Sequence, residues 1–167
     1  MSEETYLDLR WVIDRSGKLI TLKYWVGRSK KHKGYYAYST EDSMNEYLAY
    51  LKSQADNRQR YIDSKKAEMD KISVGTILYY SWGYEQTNID FFQVIERKRN
   101  SVVLREINKK VMVDGRADSM REKNRPLRDD FVGEPFTKRL GKYGIQMDHG
   151  TLELVEDGRL YASTSYG

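Results

Sequence analysis

From Glu41 to Lys71 the chain contains neither glycine nor proline, and this run constrains the fold more than any other feature. Met44, Leu48, Leu51, Ala55, Arg58, Ile62, Lys65, Met69 and Ile72 follow one another at alternating spacings of four and three. That is the seam of an α-helix with one buried face. Ser39 or Thr40 stands before the run as a cap, and Glu41 and Asp42 bring carboxylates to the positive end of the helix dipole. The half through Leu51 is amphipathic. The later half is highly charged, and Arg58 and Lys65 interrupt its seam. It reads as a solvated spacer between two β regions, with a helix that projects from the body as the alternative.

Period-two patterns flank the helix. In residues 6–13, Leu7, Leu9, Trp11 and Ile13 point one way while Asp8 and Arg10 point the other. Asp14-Arg15-Ser16-Gly17 is a turn. Ile20, Leu22, Tyr24 and Val26 alternate next, so the two stretches form a β-hairpin. The loop Arg28-Ser29-Lys30-Lys31-His32-Lys33 follows between Gly27 and Gly34, and Tyr35 to Tyr38 is a short third strand. After the helix, Val74-Gly75 opens a second β region with strands over 76–82, 89–96 and 101–107. The Asp114-Gly115 and Arg125-Pro126 pairs make Asn108 to Arg128 a loop or broken structure. Residues 136–140, 143–147 and 151–155 are further short strands, Asp157-Gly158 is a turn, and the Ser/Tyr-rich end is ordered only if docked. The expected fold class is therefore α+β: an N-terminal β-hairpin or short sheet, one long helix, then a small antiparallel β-sheet or SH3-like barrel. Region 1–72 holds the hairpin and helix, and 73–167 the small β-rich domain.

What is missing argues against most kinds of active site, although the members of a Ser/His/Asp triad need not be close in sequence. The chain has no cysteine, which removes disulfides, thiolate nucleophiles and cysteine metal sites. It fits a reducing compartment. MSEETYLDLR is acidic and lacks the apolar core of a signal peptide. No apolar run approaches the roughly 20 residues of a membrane helix, so a cytosolic protein with no membrane partner is expected. Only His32 and His149 are available as imidazoles. His32 lies among lysines and arginine that disfavour its cation, and His149 sits in a turn. No HExxH, Walker A, GxGxxG or GxSxG pattern occurs. Glu85 and Asp90 flank one loop and are candidates for acid–base work, though carboxylates at this spacing are more often exposed turn residues. The expectation is a non-enzymatic protein with no metal and no cofactor.

The same residues favour binding. Fourteen tyrosines supply contact area at low entropic cost, although tyrosine also simply fills strands. The net charge of +4 is unevenly spread, with eleven Lys/Arg against four Asp/Glu from Arg97 to Arg128. Arg97, Lys98, Arg99, Lys109 and Lys110, together with Arg28, Lys30, Lys31 and Lys33 of the earlier loop, are candidates for contact with a DNA or RNA backbone. A solvated loop region is the plainer reading. A second candidate site is the segment Ser81 to Val94. Trp82 and Tyr84 offer rings for stacking or anchoring. Gln86, Thr87, Asn88 and Asp90 offer donors and acceptors. The alternative is a turn that satisfies itself while its rings fill the core.

Residues Ser81 to Val94 read SWGYEQTNIDFFQV. This segment resembles the SWGYxQTNxDFxxV stretch of a family of small phage and plasmid proteins carried by mobile elements. The FVGEPFTKR segment and the Tyr/Ser-rich end are similar to that family as well. The resemblance covers about residues 74–167. Glu85 stands where the family pattern has Asp, the C-terminal stretch is looser than the pattern, and the N-terminal hairpin and helix fall outside it. The resemblance implies a mobile-element origin and no particular reaction. Such genomes keep small proteins that block host defence, so it implies an inhibitor of a defence nuclease, anti-CRISPR-like, whose partner is the effector protein, its nucleic acid, or both. That step is association rather than site chemistry. A general nucleic-acid-binding accessory protein is the alternative, and a small hydrolase or nuclease the third.

Overall fold

The computed structural model describes residues 2–113 and 121–164. In chain order the elements are β1 (Glu4–Tyr6), β2 (Leu9–Asp14), β3 (Ile20–Val26), β4 (Gly34–Tyr38), α1 (Glu41–Asp70), β5 (Ile77–Trp82), β6 (Asn88–Arg97), β7 (Ser101–Val113), β8 (Arg121–Phe131), β9 (Phe136–Arg139), β10 (Ile145–Met147), β11 (Gly150–Leu154) and β12 (Tyr161–Thr164). The described residues are mostly β, with 50% strand and 19% helix. This corrects the α+β expectation. In place of a small sheet or SH3-like barrel there are two antiparallel sheets, of four and eight strands.

The reason lies in the stretch read as a loop. Lys109 to Val113 extends β7, and Arg121 to Phe131 forms β8 against it. Charged residues hide the alternation there, and Pro126 stands inside β8. Proline is tolerated in a sheet at bulges and edges, and Pro126 pairs with Lys109 beside the shift of register between Ile107 and Lys109. The Asp114-Gly115 pair lies outside the described residues, as do the last three residues of the Ser/Tyr-rich end.

The chain divides into two compact units, Met1–Asp63 and Ser64–Gly167. In the first, the sheet runs β1-β2-β3-β4 and the β2–β3 hairpin pairs Leu9 with Val26 through Asp14 with Thr21. One sheet face supplies Leu9, Trp11, Leu22 and Tyr24 to a core, and α1 supplies Met44, Leu48, Leu51 and Ala55. The helix is capped by Thr40, whose Oγ1 accepts from the Ser43 amide at 3.2 Å. At the first basic interruption of the seam, Arg58 donates two bonds to the Asp8 carboxylate, at 2.7 and 2.8 Å.

The second unit contains the end of α1. Met69 and Ile72 join Leu78, Tyr80, Phe92, Val94, Val102, Leu104, Ile145 and Leu152 in one core. The seam's other basic residue, Lys65, is buried there and donates to Glu153 at 2.7 Å and Glu68 at 3.1 Å. The later half of the helix therefore packs rather than projects. The strand order is β10-β11-β5-β6-β7-β8-β12, with β9 beside β7. Ile89, Phe91, Ile107 and Tyr161 make a further core cluster. β6 is covered on both faces, so Phe91 and Phe92 are both buried.

Candidate nucleic-acid interface

In the first unit the inner face of the sheet packs on α1. Alternation sends the other set of side chains outward. The ladder sets Arg10 opposite Trp25, Val12 and Tyr35 on either side of Lys23, and Thr21 opposite Ala37. Directly opposed residues share a face, so Arg10, Trp25, Lys23 and Tyr35 form one continuous aromatic and cationic strip. The Lys23 ammonium lies 5.5 Å from the Trp25 ring centre and 5.8 Å from that of Tyr35, and the Arg10 guanidinium lies 5.7 Å from Trp25. These are cation–π distances. The Tyr35 ring is 60% exposed, which leaves it open to a flat partner.

The basic loop 27–33 is tied to this strip. Trp25 Nε1 donates to the Lys30 carbonyl at 3.2 Å, and Arg10 Nη2 to the Ser29 carbonyl at 2.7 Å. Ser29 Oγ donates to the Lys31 carbonyl at 2.9 Å, and His32 stands edge-on to Tyr35 at 6.3 Å. Arg28, Lys30, Lys31 and Lys33 are all exposed. Lys33 also borders a small cleft beside Tyr24 and Tyr47. Against these cations stands Glu3, 3.7 Å from Arg10. A tethered cationic loop beside aromatic side chains suits a nucleic-acid strand, because the cations track phosphates and the rings stack on bases.

No protein-family model, curated protein or solved structure matches the chain.

The loop between β5 and β6 belongs to the second unit. Gly83 has φ +119°, and a Cβ there would lie 2.0 Å from the Gln86 carbonyl oxygen, so only glycine fits. Trp82 Nε1 donates to Asp90 Oδ2 at 2.7 Å. The Thr87 amide donates to Thr164 Oγ1 at 2.7 Å, and the Thr164 amide to the Thr87 carbonyl at 3.0 Å. Gln86 and Asn88 are 3.4 Å apart. Much of the loop's hydrogen bonding is thus internal. Its exposed rings are Tyr84, fully exposed, and Trp82, 39% exposed. Both line an open cleft of 480 Å³ with Ser81, Thr87 and His149. Glu85 is exposed. Asp90 is held by Trp82 and by Lys109 at 3.4 Å. Burial, and then the charge of Asp90, pushes the Glu106 carboxyl above its ordinary value, against the pull of Lys109.

The remaining basic candidates are dispersed. Arg97 donates to the Ile72 carbonyl at 3.2 Å and to the Lys98 and Arg99 carbonyls, so it braces its own turn. Lys98 and Arg99 are exposed there. They lie at the opposite end of the ten-residue β6 from the Trp82 loop, about 30 Å away at the usual strand rise. Lys109 donates to the Ile89 carbonyl. Lys110 lines a separate cleft. The loop of Arg28 to Lys33 lies in the other unit. Among the described residues no group of three or more His, Cys, Asp or Glu could hold a metal ion, and no helix is long and apolar enough to cross a membrane.

Sequence reasoning missed Arg10, Lys23, Trp25 and Tyr35. The signal was present: Trp25 falls out of phase with Ile20, Leu22, Tyr24 and Val26. A tryptophan on the solvent side of a strand marks a surface rather than a core.

Proposed function

We propose that the protein is a non-enzymatic nucleic-acid-binding protein that engages single strands on the outer face of the β1–β4 sheet. The observation that carries this reading is the strip in which Trp25 and Tyr35 alternate with Arg10 and Lys23 beside a loop of four further cations. A sheet face with the exposed Tyr35 ring beside the half-buried Trp25 accepts unstacked bases, and the interleaved cations meet the backbone. The resemblance of Ser81 to Val94 to phage and plasmid proteins supports a mobile-element origin, and with it a role as an anti-CRISPR-like inhibitor that grips the nucleic acid of a host defence nuclease in the bacterial cytoplasm.

The test is fluorescence anisotropy with a labelled oligothymidine and a duplex of equal length. The oligothymidine is expected to bind more tightly. Tyr35→Ala is expected to cost about 1–3 kcal/mol, the value of one stacked base. Equal affinity for duplex and single strand, with no effect of Tyr35→Ala, overturns the reading.

The exposed Tyr84 beside Trp82 favours a second reading, in which this loop anchors the effector protein itself. Loss of effector copurification in Tyr84→Ala, with oligothymidine binding intact, supports it. An interface hot spot of this kind is worth about 2 kcal/mol or more.

A further inference from the structure

A cleft of 620 Å³ in the second unit lies between the β7–β8 ladder and the segment that joins β11 to β12. Its size is that of a small-molecule site, roughly 300–1,000 Å³. Lys110 and Arg125 both line it, and they are direct partners on the ladder. Their side chains therefore leave the sheet on the same face, side by side. Like charges placed directly opposite destabilise a ladder. The next rung on that face pairs Met112 with Lys123, which adds a third cation. Among the described residues neither Lys110 nor Arg125 has a carboxylate partner.

The other cations of the cleft are already fixed. Arg128 donates to the Gly75 carbonyl at 2.6 Å. Arg159 lies 3.5 Å from Glu156 and 4.9 Å from the Tyr161 ring centre. Among the described residues no carboxylate is paired with Lys110 or Arg125, so the pair offers its charge to an anion in the cleft. A phosphate suits this pair, because the arginine fork grips two oxygens and the ammonium acts as a point charge. The rest of the lining is of another kind. Ile77, Val155 and Leu160 give an apolar wall, and Asp157 gives a carboxylate that accepts hydrogen bonds from hydroxyls.

We propose that this cleft binds a nucleoside polyphosphate, with its phosphates on Lys110 and Arg125, its base on the wall of Ile77, Val155 and Leu160, and its sugar hydroxyls toward Asp157. The site lies in a different unit from the strip of Trp25 and Tyr35, and it stands or falls independently of single-strand binding. Titration calorimetry and thermal melting of the full chain with ADP, pyrophosphate and adenosine test it. ADP is expected to bind and to raise the melting temperature, pyrophosphate to bind at least tenfold more weakly, and adenosine weakest of all. Arg125→Gln and Lys110→Gln are each expected to lose tenfold or more in ADP affinity, while Arg125→Lys keeps most of it. Without ligand, the two Gln variants are expected to melt up to about 3 °C higher than the wild type, since the opposed charges are relieved. That gain separates loss of a ligand contact from loss of folding. Absence of ADP binding at about 1 mM, pyrophosphate binding as tight as ADP, or full ADP affinity in both Gln variants overturns the proposal.

Discussion

Lys65 is only 4% exposed, yet it carries an ammonium. Burial alone would lower its pKa, but the bonds to Glu153 and Glu68 outweigh that and hold it above the ordinary lysine value. The two directions of mutation are therefore unequal. Lys65→Met replaces the ammonium with an apolar chain and leaves carboxylates that are about one-third exposed, so a loss of about 1 kcal/mol is expected in denaturant unfolding. Glu153→Ala strands most of a buried charge, and about 3 kcal/mol is expected. The pH dependence follows the same group. Its raised value means the contribution is intact below the ordinary lysine pKa and is lost as pH climbs through the raised one. Tyr47 behaves alike for a different reason: burial, then the bond shared with Tyr24, pushes its phenol up to about 12. Stability from keeping this phenol neutral is complete below about pH 10, the ordinary tyrosine value, and declines as pH rises toward 12. Tyr47→Phe has no proton to lose and is expected to flatten the alkaline arm of the melting curve; an unchanged arm shows that Tyr47 does not govern it.

At the scale of elements, the sequence is legible wherever one periodicity rules. The β2–β3 hairpin, the Thr40 cap and the seam of α1 all follow from spacing, and each is present, except that Leu7, expected in phase with Leu9, is 51% exposed in a turn with φ 53° before β2. What spacing does not reveal is that Arg58 and Lys65 sit on the seam as partners of Asp8 and Glu153, residues 50 and 88 positions away. The long β7–β8 ladder is hidden for a related reason: Lys109, Lys110, Lys123 and Arg125 are strand residues whose charge erases the alternation. β12 is hidden too, because its strand pairing with β8 is non-local. The loop from Gly83 to Thr87 depends on one backbone conformation. Gly83→Ala forces a positive φ on alanine and a collision with the Gln86 carbonyl. A loss of about 2 kcal/mol or more is expected, together with faster exchange of the Thr87 amide, which is otherwise held by Thr164. Unchanged exchange at Thr87 refutes this account of the loop.

Across the whole molecule, charge counted along the chain misstates where charge is available. The basic stretch from Arg97 to Arg128 contains cations engaged with their own fold. Arg97 holds backbone carbonyls, Lys109 holds Ile89, and Arg105 donates to Gly133 at 2.8 Å while covering the Phe131 ring. The shorter loop of Arg28 to Lys33 has fewer charges, but they are exposed and stand beside rings. The two surfaces make different demands on salt dependence. Each phosphate neutralised on a single strand contributes about −0.7 to the slope of log affinity against log salt. If the β1–β4 face binds the strand, Lys30→Glu with Lys31→Glu is expected to weaken oligothymidine binding tenfold or more and to make the slope shallower by about 1.4. Lys98→Glu with Arg99→Glu is expected to leave both within about twofold, because that turn carries no ring for a base to stack on. Anisotropy titrations of the two double variants at several salt concentrations decide between them. If the Lys98 and Arg99 pair lowers affinity and slope while the Lys30 and Lys31 pair does not, the strand binds at the β6–β7 turn and the aromatic strip has another use.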